Sequence, residues 1–521
     1  MKRYEEMPKN YEYIAPPTEL LSDYEIAVPN EKWAEAISET ILNTVKTEAK
    51  TDAEITGITY GASITRFEVK VSGNTPVKAV LGCEDELHFL LKDWVMISSV
   101  YGTEKFAFDV PNEVRGNVGL KQVIEGNLSV GENTLIAAIG KDVSGVSVEE
   151  DVVKMPHLLI GGAAGSGKSV VLNSILISLM YRYSPADLRF IIIDPKRVEY
   201  VLFEDMPHLL FDKILGDVDE ALNALKWLSG EINRRFDLMR EAAVRNVEEY
   251  NEYALREGKS KLYRLVVVID EFGDIATQSF KEFDNALSLV LMKARAAGIH
   301  IILATQRISP KIMASCIKYN VPSRIALKAS CAIDSKTLIE EYGAENLIGS
   351  GDMFIKTAQD FHPRRVQGAY ISLDEVKAVV EFIKQHNDAY FDEKAKGEIA
   401  TESKNSFSSV FDFLGTAKRT NGGTKSEKSV EPTSDAPISK DNLAGLYLAI
   451  SLGTISISMI QRRLRFGFPK SAGIIDWMER EGYIVRGDGK QNQVIMTKEQ
   501  YDEKYGNILS DEEFSEKYNN F

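Results

Sequence analysis

Hydrophobic and polar positions divide the chain into three regimes. From about residue 151 to 372, short apolar runs alternate with helical spacing. His157–Ile160, Arg189–Ile193, Leu265–Ile269, Ile299–Ala304 and Arg324–Leu327 are nearly continuous in aliphatic residues. Strands without in–out alternation are buried on both faces, as in a parallel sheet covered by crossover helices. The pattern predicts a doubly wound α/β domain with ligands at the carboxyl ends of its strands. Before it, residues 55–110 mix alternating stretches, such as Thr65-Arg66-Phe67-Glu68-Val69, with a short helix near 83–92. Strands with Gly turns continue to about 150, which predicts a small α/β module at 55–150. Segment 1–54 is irregular and proline-bearing at first, with helical spacing at Trp33–Val45. After the sheet pattern, 373–398 reads as a charged helix that closes a motor domain at 151–398. Residues 399–440 turn to Ser, Thr, Lys, Gly and Pro, the composition of a flexible linker. Helical spacing returns at Leu443–Leu452, Ser456–Leu464 and Pro469–Glu481, and Gln493–Met496 reads as a strand. Residues 501–521 carry six acids against two lysines and are expected to form a loosely held acidic tail after a domain at 441–500.

The strand pattern gives meaning to Gly162-Ala163-Ala164-Gly165-Ser166-Gly167-Lys168-Ser169. It follows a predicted strand and opens a helix from Val170 to about Tyr183, the context of a phosphate-binding P-loop. Glycines turn successive N–H groups toward a phosphate, and the helix N-terminus adds partial positive charge. Lys168 is placed for the β- and γ-phosphates of ATP, and Ser169 for Mg²⁺. The second half of such a site is an apolar strand ending in acid. Leu265–Ile269 followed by Asp270 and Glu271 fits, with Asp270 toward Mg²⁺ and Glu271 toward an attacking water. Gln306 closes the next strand and is a candidate γ-phosphate sensor. Arg295, in Lys293-Ala294-Arg295-Ala296-Ala297-Gly298, reads equally as an arginine finger or as a cation neutralising a helix C-terminus.

The last domain looks like a winged helix-turn-helix. Its second and third helices are joined by Arg465-Phe466-Gly467-Phe468, and Pro469 suits the first turn of the recognition helix. Residues 440–500 hold nine Lys or Arg against six Asp or Glu, a balance of +3 in a chain of net charge −15. Arg462, Arg463, Arg465 and Lys470 cluster at the turn, where nucleic-acid phosphates would lie. The other reading of that surface is a solvated basic face on a protein-docking domain.

Composition narrows the rest. The acidic balance excludes a uniformly basic nucleic-acid coat but not a local one. Cys83, Cys316 and Cys331 lack paired ligand spacing, which argues against a disulfide scaffold or a zinc site. No apolar run approaches a bilayer span, and the N-terminus has no signal-peptide core, so a cytoplasmic protein without a membrane span is expected.

Together these motifs resemble the FtsK/SpoIIIE family of DNA translocases. The matching stretches are Tyr60-Gly61-Ala62-Ser63-Ile64-Thr65-Arg66-Phe67-Glu68, Gly140-Lys141-Asp142-Val143-Ser144-Gly145, the P-loop, Asp194-Pro195-Lys196 and Pro207-His208-Leu209-Leu210. Asp270-Glu271-Phe272, Lys293 to His300, Ala304-Thr305-Gln306-Arg307 and Gly351-Asp352-Met353 follow, and Gln461-Arg462-Arg463-Leu464-Arg465-Phe466-Gly467 looks like the family's DNA-orienting γ domain. The resemblance implies an α/β fold with a RecA-like motor, preceded by a small α/β domain and followed by a winged helix. It implies a homo-hexameric ring that moves double-stranded DNA by ATP hydrolysis at subunit interfaces, in chromosome partition or recombination. It favours Arg295 as the finger and Gln306 as the sensor, and it places Arg307 and Lys318 near channel loops. A site-specific recombinase or a transfer-channel protein is the protein partner such a motor implies.

Three departures stand out. The membrane domain and long linker that usually precede the motor are not seen in this sequence. Where the family often has Ser-Ser-Lys-Ile-Asp-Ser, this chain has Ser330-Cys331-Ala332-Ile333-Asp334-Ser335, leaving Lys336 as the nearby cation. Pro469-Lys470 stands where the γ domain usually has Asn-Arg, which removes bidentate base reading and predicts a different or weaker sequence preference. The competing functions are an FtsK-like coupling ATPase for conjugative transfer, a DNA-binding regulator with the P-loop as a switch, and an ATPase that moves polypeptides. The intact Asp270–Glu271 pair opposes the switch, and the winged helix opposes the polypeptide motor.

Overall fold

The computed structural model describes residues 3–4, 8, 11–25, 29–100, 102–126, 128, 131, 133–309, 312–313, 315–401, 440–464, 466–486 and 492–505. The expected linker from 402 onward, the tail beyond 505 and Arg465 lie outside these. The chain divides into two compact units, Met1–Thr416 and Ala417–Phe521.

The first unit is built on a sheet with ten strands among the described residues. Five are parallel, in the order Leu188–Ile193, Arg264–Ile269, Ile299–Thr305, His157–Gly161, Ser323–Leu327. Each is buried along its whole length, as continuous Val, Ile and Leu runs require. The apolar residues of each strand face alternately into two cores. The expected parallel sheet is present in these five strands, and antiparallel strands continue it. Asp352–Lys356, Arg364–Tyr370, Ile136–Asp142 and Ser147–Asp151 extend the sheet beyond Ser323–Leu327, and Val118–Gly119 adds to the Arg364 strand.

A second sheet runs Ala53–Tyr60, Ile64–Val71, Lys105–Pro111, Met96–Val100, all antiparallel. Helix Glu31–Glu48 covers it, burying Ala34, Ile37, Ile41 and Val45 beside Phe67, Val69 and Phe108. The small module therefore draws its covering helix from within 1–54. The strands at 136–151, expected in the small module, hydrogen-bond into the large sheet instead.

A buried ion cluster joins the two sheets. Arg365 donates to both Asp352 oxygens at 3.0 and 2.7 Å and to Asp109 at 3.1 Å. Arg66 donates to the same Asp109 at 2.7 and 2.9 Å. Burial alone would push the Asp109 carboxyl up, but the two guanidinium groups hold it below its ordinary 3.8. Residues 11–25 lie across the large-sheet domain. Ile14 and Asn387 exchange hydrogen bonds at 2.9 and 3.0 Å, and Glu375 accepts from Ser22 N and the Tyr24 hydroxyl. The predicted helix 373–398 breaks after His386 into Leu373–His386 and Glu393–Thr401, with a short strand, Ala389–Tyr390, paired to Arg3–Tyr4.

The second unit has helices Lys440–Leu452, Ile457–Leu464 and Phe468–Arg480, then a three-stranded sheet from Thr454–Ile455, Asn492–Val494 and Ile484–Arg486. Three helices and a β-wing make a winged helix-turn-helix. Gly445 permits the close approach of first and third helices, since a Cβ there would lie 2.4 Å from Ile474 Cγ2. The expected loose tail is corrected at its start. Helix Lys498–Tyr505 packs on the first helix, with Tyr501 buried and edge-on to Tyr447.

Candidate functional site

The P-loop leaves the central strand His157–Gly161 and is tied to its surroundings. Gly162 N–H donates to Thr305 O at 3.4 Å, Ala163 N–H to Lys328 O at 2.8 Å, and Gly351 N–H to Ser166 O at 2.9 Å. Gly167 has φ +106° and a Cβ there would sit 2.8 Å from Gly351 N, so only glycine fits. Helix Lys168–Arg182 then begins with no side-chain cap and no acid in its first turn. Its first N–H groups stay available to a phosphate. Gly165 and Ala164 are exposed beside it, and Ser169 is half-buried.

Lys168, 3 % exposed, ion-pairs with Asp270 at the carboxyl end of Arg264–Ile269, across the intervening strand Ile299–Thr305. Burial pushes the Asp270 carboxyl up, and Lys168 offsets this only in part. Asp270 and Ser169 offer hard oxygen donors. Among the described residues no group of three or more His, Cys, Asp or Glu could hold a metal. That donor set fits Mg²⁺, which takes one or two protein oxygens and completes its shell with phosphate and water.

Glu271 follows in the left-handed region, φ +47°, which turns its carboxylate back into the sheet. It accepts from Thr305 Oγ at 2.8 Å and from Gln306 N–H at 3.1 and 3.3 Å, and Lys196 Nζ lies 3.5 Å away. Burial alone would raise its carboxyl, but the Thr305 hydroxyl, the Gln306 N–H and the charges of Lys196 and Lys168 together hold it below the ordinary value. The expected cluster of Lys168, Asp270, Glu271 and Gln306 is therefore one neighbourhood, although Gln306 reaches Glu271 through its backbone.

Arg295 is not in that neighbourhood. It is exposed in the turn between helix Phe280–Lys293 and strand Ile299–Thr305. The P-loop lies at the opposite, carboxyl end of that strand, about 20 Å away for seven residues at ~3.3 Å each. Arg307 is 62 % exposed and pairs with Asp274 at 3.3 Å. Lys318 is exposed on Ser315–Asn320, and Lys336 is exposed with its ammonium 5.2 Å from the Tyr342 ring centroid. In the second unit Arg462 and Arg463 are exposed on the helix before the turn. Lys470, expected among the phosphate-facing cations, is also exposed but has a partner within the chain. It pairs with Asp441 at 2.7 Å and lies 4.2 Å from the Phe466 ring centroid.

Sequence reasoning missed Lys196, Asp274 and Thr305 as partners in this neighbourhood. Lys196 could have been found, because it follows strand Leu188–Ile193 at its carboxyl end, where ligands gather. Asp194 shapes that turn, accepting from Lys196, Val198 and Glu199 N–H groups at 3.0, 3.0 and 3.2 Å.

Three family models match in order: the FtsK alpha domain at 15–112, the FtsK/SpoIIIE family at 120–310 and the FtsK gamma domain at 446–498. The DNA translocase FtsK of Clostridium tetani is 36% identical over 499 residues, 94% of this chain and 63% of that protein. The DNA translocase SpoIIIE of Bacillus subtilis is 33% identical over 511 residues, 95% of this chain and 60% of that protein. The chain thus spans less than two thirds of these relatives. Among solved structures, the pCW3 conjugation coupling protein TcpA, in monomer form with ATPgS, aligns at 20% identity and TM-score 0.47 over 67% of this chain and 99% of that one. With alpha, motor and gamma models in series and such identity over nearly its whole length, the chain belongs to the FtsK/SpoIIIE family.

Proposed function

We propose that this chain is an ATP-driven double-stranded DNA translocase, acting as a homo-hexameric ring in the cytoplasm in chromosome partition or recombination. The observation that carries the reading is the Lys168–Asp270 pair beneath the P-loop with Glu271 beside it, in a chain that also carries the γ winged helix. Lys168 and the P-loop N–H groups bind the phosphates of ATP, and Asp270 with Ser169 holds Mg²⁺. Glu271 orients the attacking water. Mg²⁺ supplies charge neutralisation on the phosphates when bound. Arg295 acts as the finger on a neighbouring subunit's site, a role supported by its exposure at the far end of its own sheet. Arg307, Lys318 and Lys336 meet the phosphate backbone, and Arg462 and Arg463 hold the winged helix on the duplex. The relatives named DNA translocase support this reading over the conjugative coupling ATPase.

The test is ATP hydrolysis with and without long duplex DNA, beside Lys168→Ala. Strong stimulation by duplex, absent in that variant, is expected, followed by displacement of a triplex-forming strand. Hydrolysis indifferent to DNA removes the motor reading.

A further inference from the structure

The Glu271 carboxylate and the backbone of Arg307 share one hydroxyl. Thr305 Oγ lies 2.8 Å from Glu271 Oε1 and 3.2 Å from the Arg307 carbonyl oxygen, and both are acceptors. A hydroxyl has a single hydrogen, so it serves one of them at a time. The Arg307 N–H donates to the same oxygen at 3.0 Å, which ties the start of the loop to this side chain. Thr305 is fully buried, and the choice between acceptors needs only rotation about its C–O bond. The carboxylate bond is shorter and charge-assisted, so Glu271 holds the hydrogen in this conformation.

A second route runs through side chains. Arg307 pairs with Asp274 at 3.3 Å, Asp274 lies 4.0 Å from Lys196, and Lys196 lies 3.5 Å from Glu271. Both routes begin at Arg307 and end on the same carboxylate. With Thr305, Gln306 N–H and Lys196 all directed at Glu271, its oxygens are committed to the protein.

We propose that Thr305 is a positioning residue that restrains Glu271, and that a change at Arg307 releases it. A DNA phosphate that takes Arg307 from Asp274 leaves Asp274 free to draw Lys196 away. A shift of the Arg307 carbonyl toward the hydroxyl takes its hydrogen. Glu271 then accepts from a water in place of protein donors. The proposal rests on Glu271 as the hydrolytic carboxylate and Arg307 as a DNA contact. Its substance is that DNA stimulation is built into the end of one strand.

The experiment is steady-state hydrolysis by the full chain with and without duplex, for Thr305→Val, Thr305→Ser and Asp274→Asn, with thermal melts to match folding. Thr305→Val keeps the shape and removes the hydroxyl. Its DNA-free kcat is expected to rise about tenfold, the size of one hydrogen bond to a charged group, with KM for ATP within about twofold. The stimulation ratio falls by the same factor, and Thr305→Ser restores it. An unchanged DNA-free rate with full stimulation overturns the proposal, as do equal losses of both rates. Should Thr305→Val not fold, Asp274→Asn decides. Asp274 is half-buried, and its charge is needed only for the side-chain route. A reduced stimulation ratio supports the proposal and an unchanged one overturns it. If wild type shows no stimulation, the translocase reading fails on its own account. The DNA-free rate of Thr305→Val still tells whether the hydroxyl restrains Glu271.

Discussion

The nucleotide neighbourhood and the winged helix treat their cations in opposite ways. Around the P-loop, Lys168 and Lys196 each face a buried carboxylate of the same chain. On the winged helix, Arg462 and Arg463 make no ion pair among the described residues, and of the described cations at the turn only Lys470 is taken. A cation committed to a buried carboxylate defines geometry, and removing it strands a charge. An uncommitted surface cation costs little to the fold and keeps its charge for a partner. The first arrangement suits chemistry that needs fixed positions. The second suits a long polyanion met in many registers.

The comparison predicts large effects in the first region and graded ones in the second. Lys168→Ala is expected to lower ATP hydrolysis by at least about a hundredfold. It should also lower the melting temperature, because Asp270 is left buried without its partner; an unaltered melt would break the idea that this cation defines geometry. Next comes the ion cluster. Arg365→Met leaves Asp109 and Asp352 buried and should cost about 3–5 kcal/mol, read by chemical denaturation.

Its pH signature follows from Asp109. The folded carboxyl is held below its unfolded value, so its stabilisation is present above about pH 4 and lost as pH falls through the folded value. The melting difference between wild type and Asp109→Asn should therefore be greatest near neutrality and shrink below about pH 4. A difference independent of pH would deny the cluster its electrostatic role. The smallest effects belong to the winged helix. Arg462→Ala and Arg463→Ala should each flatten the salt dependence of DNA affinity by about one unit of log–log slope while leaving the melt unchanged. Lys470→Ala should change that slope less than either, since Asp441 already neutralises it.

Much of this arrangement was legible in the sequence, for a physical reason. The five parallel strands are buried on both faces, so their signal is composition alone and survives without knowledge of neighbours. The P-loop and Asp270–Glu271 are likewise read from local spacing. Asp352–Lys356 and Arg364–Tyr370 escaped because they carry Arg365 and Asp352 inward, charges that look solvent-facing until their partners 13 residues apart are paired. The small sheet's limits escaped because 136–151 looks like any hairpin, and only long-range pairing with Arg364–Tyr370 assigns it. The Thr305 contacts depend on register, Ile269 lying opposite Leu303, and the order of strands along the chain does not fix register. Lys470 looked free because Asp441 lies a whole helix away.

Mechanically, the small module is a beam built in at both ends. Its approach, residues 11–25, is bonded to Asn387 and Glu375, and its departure pairs through Val118–Gly119 with Arg364–Tyr370. At mid-span, Asp109 is riveted to Arg365. A cantilever swings about its root, whereas a built-in beam shares any load between its supports. One of those supports, the Arg364 strand, contacts Gly351 through the Gly368 N–H at 2.8 Å, and Gly351 in turn holds the P-loop at Ser166. A push on the outer sheet thus has a hydrogen-bonded path through Gly368 and Gly351 to the loop at Ser166.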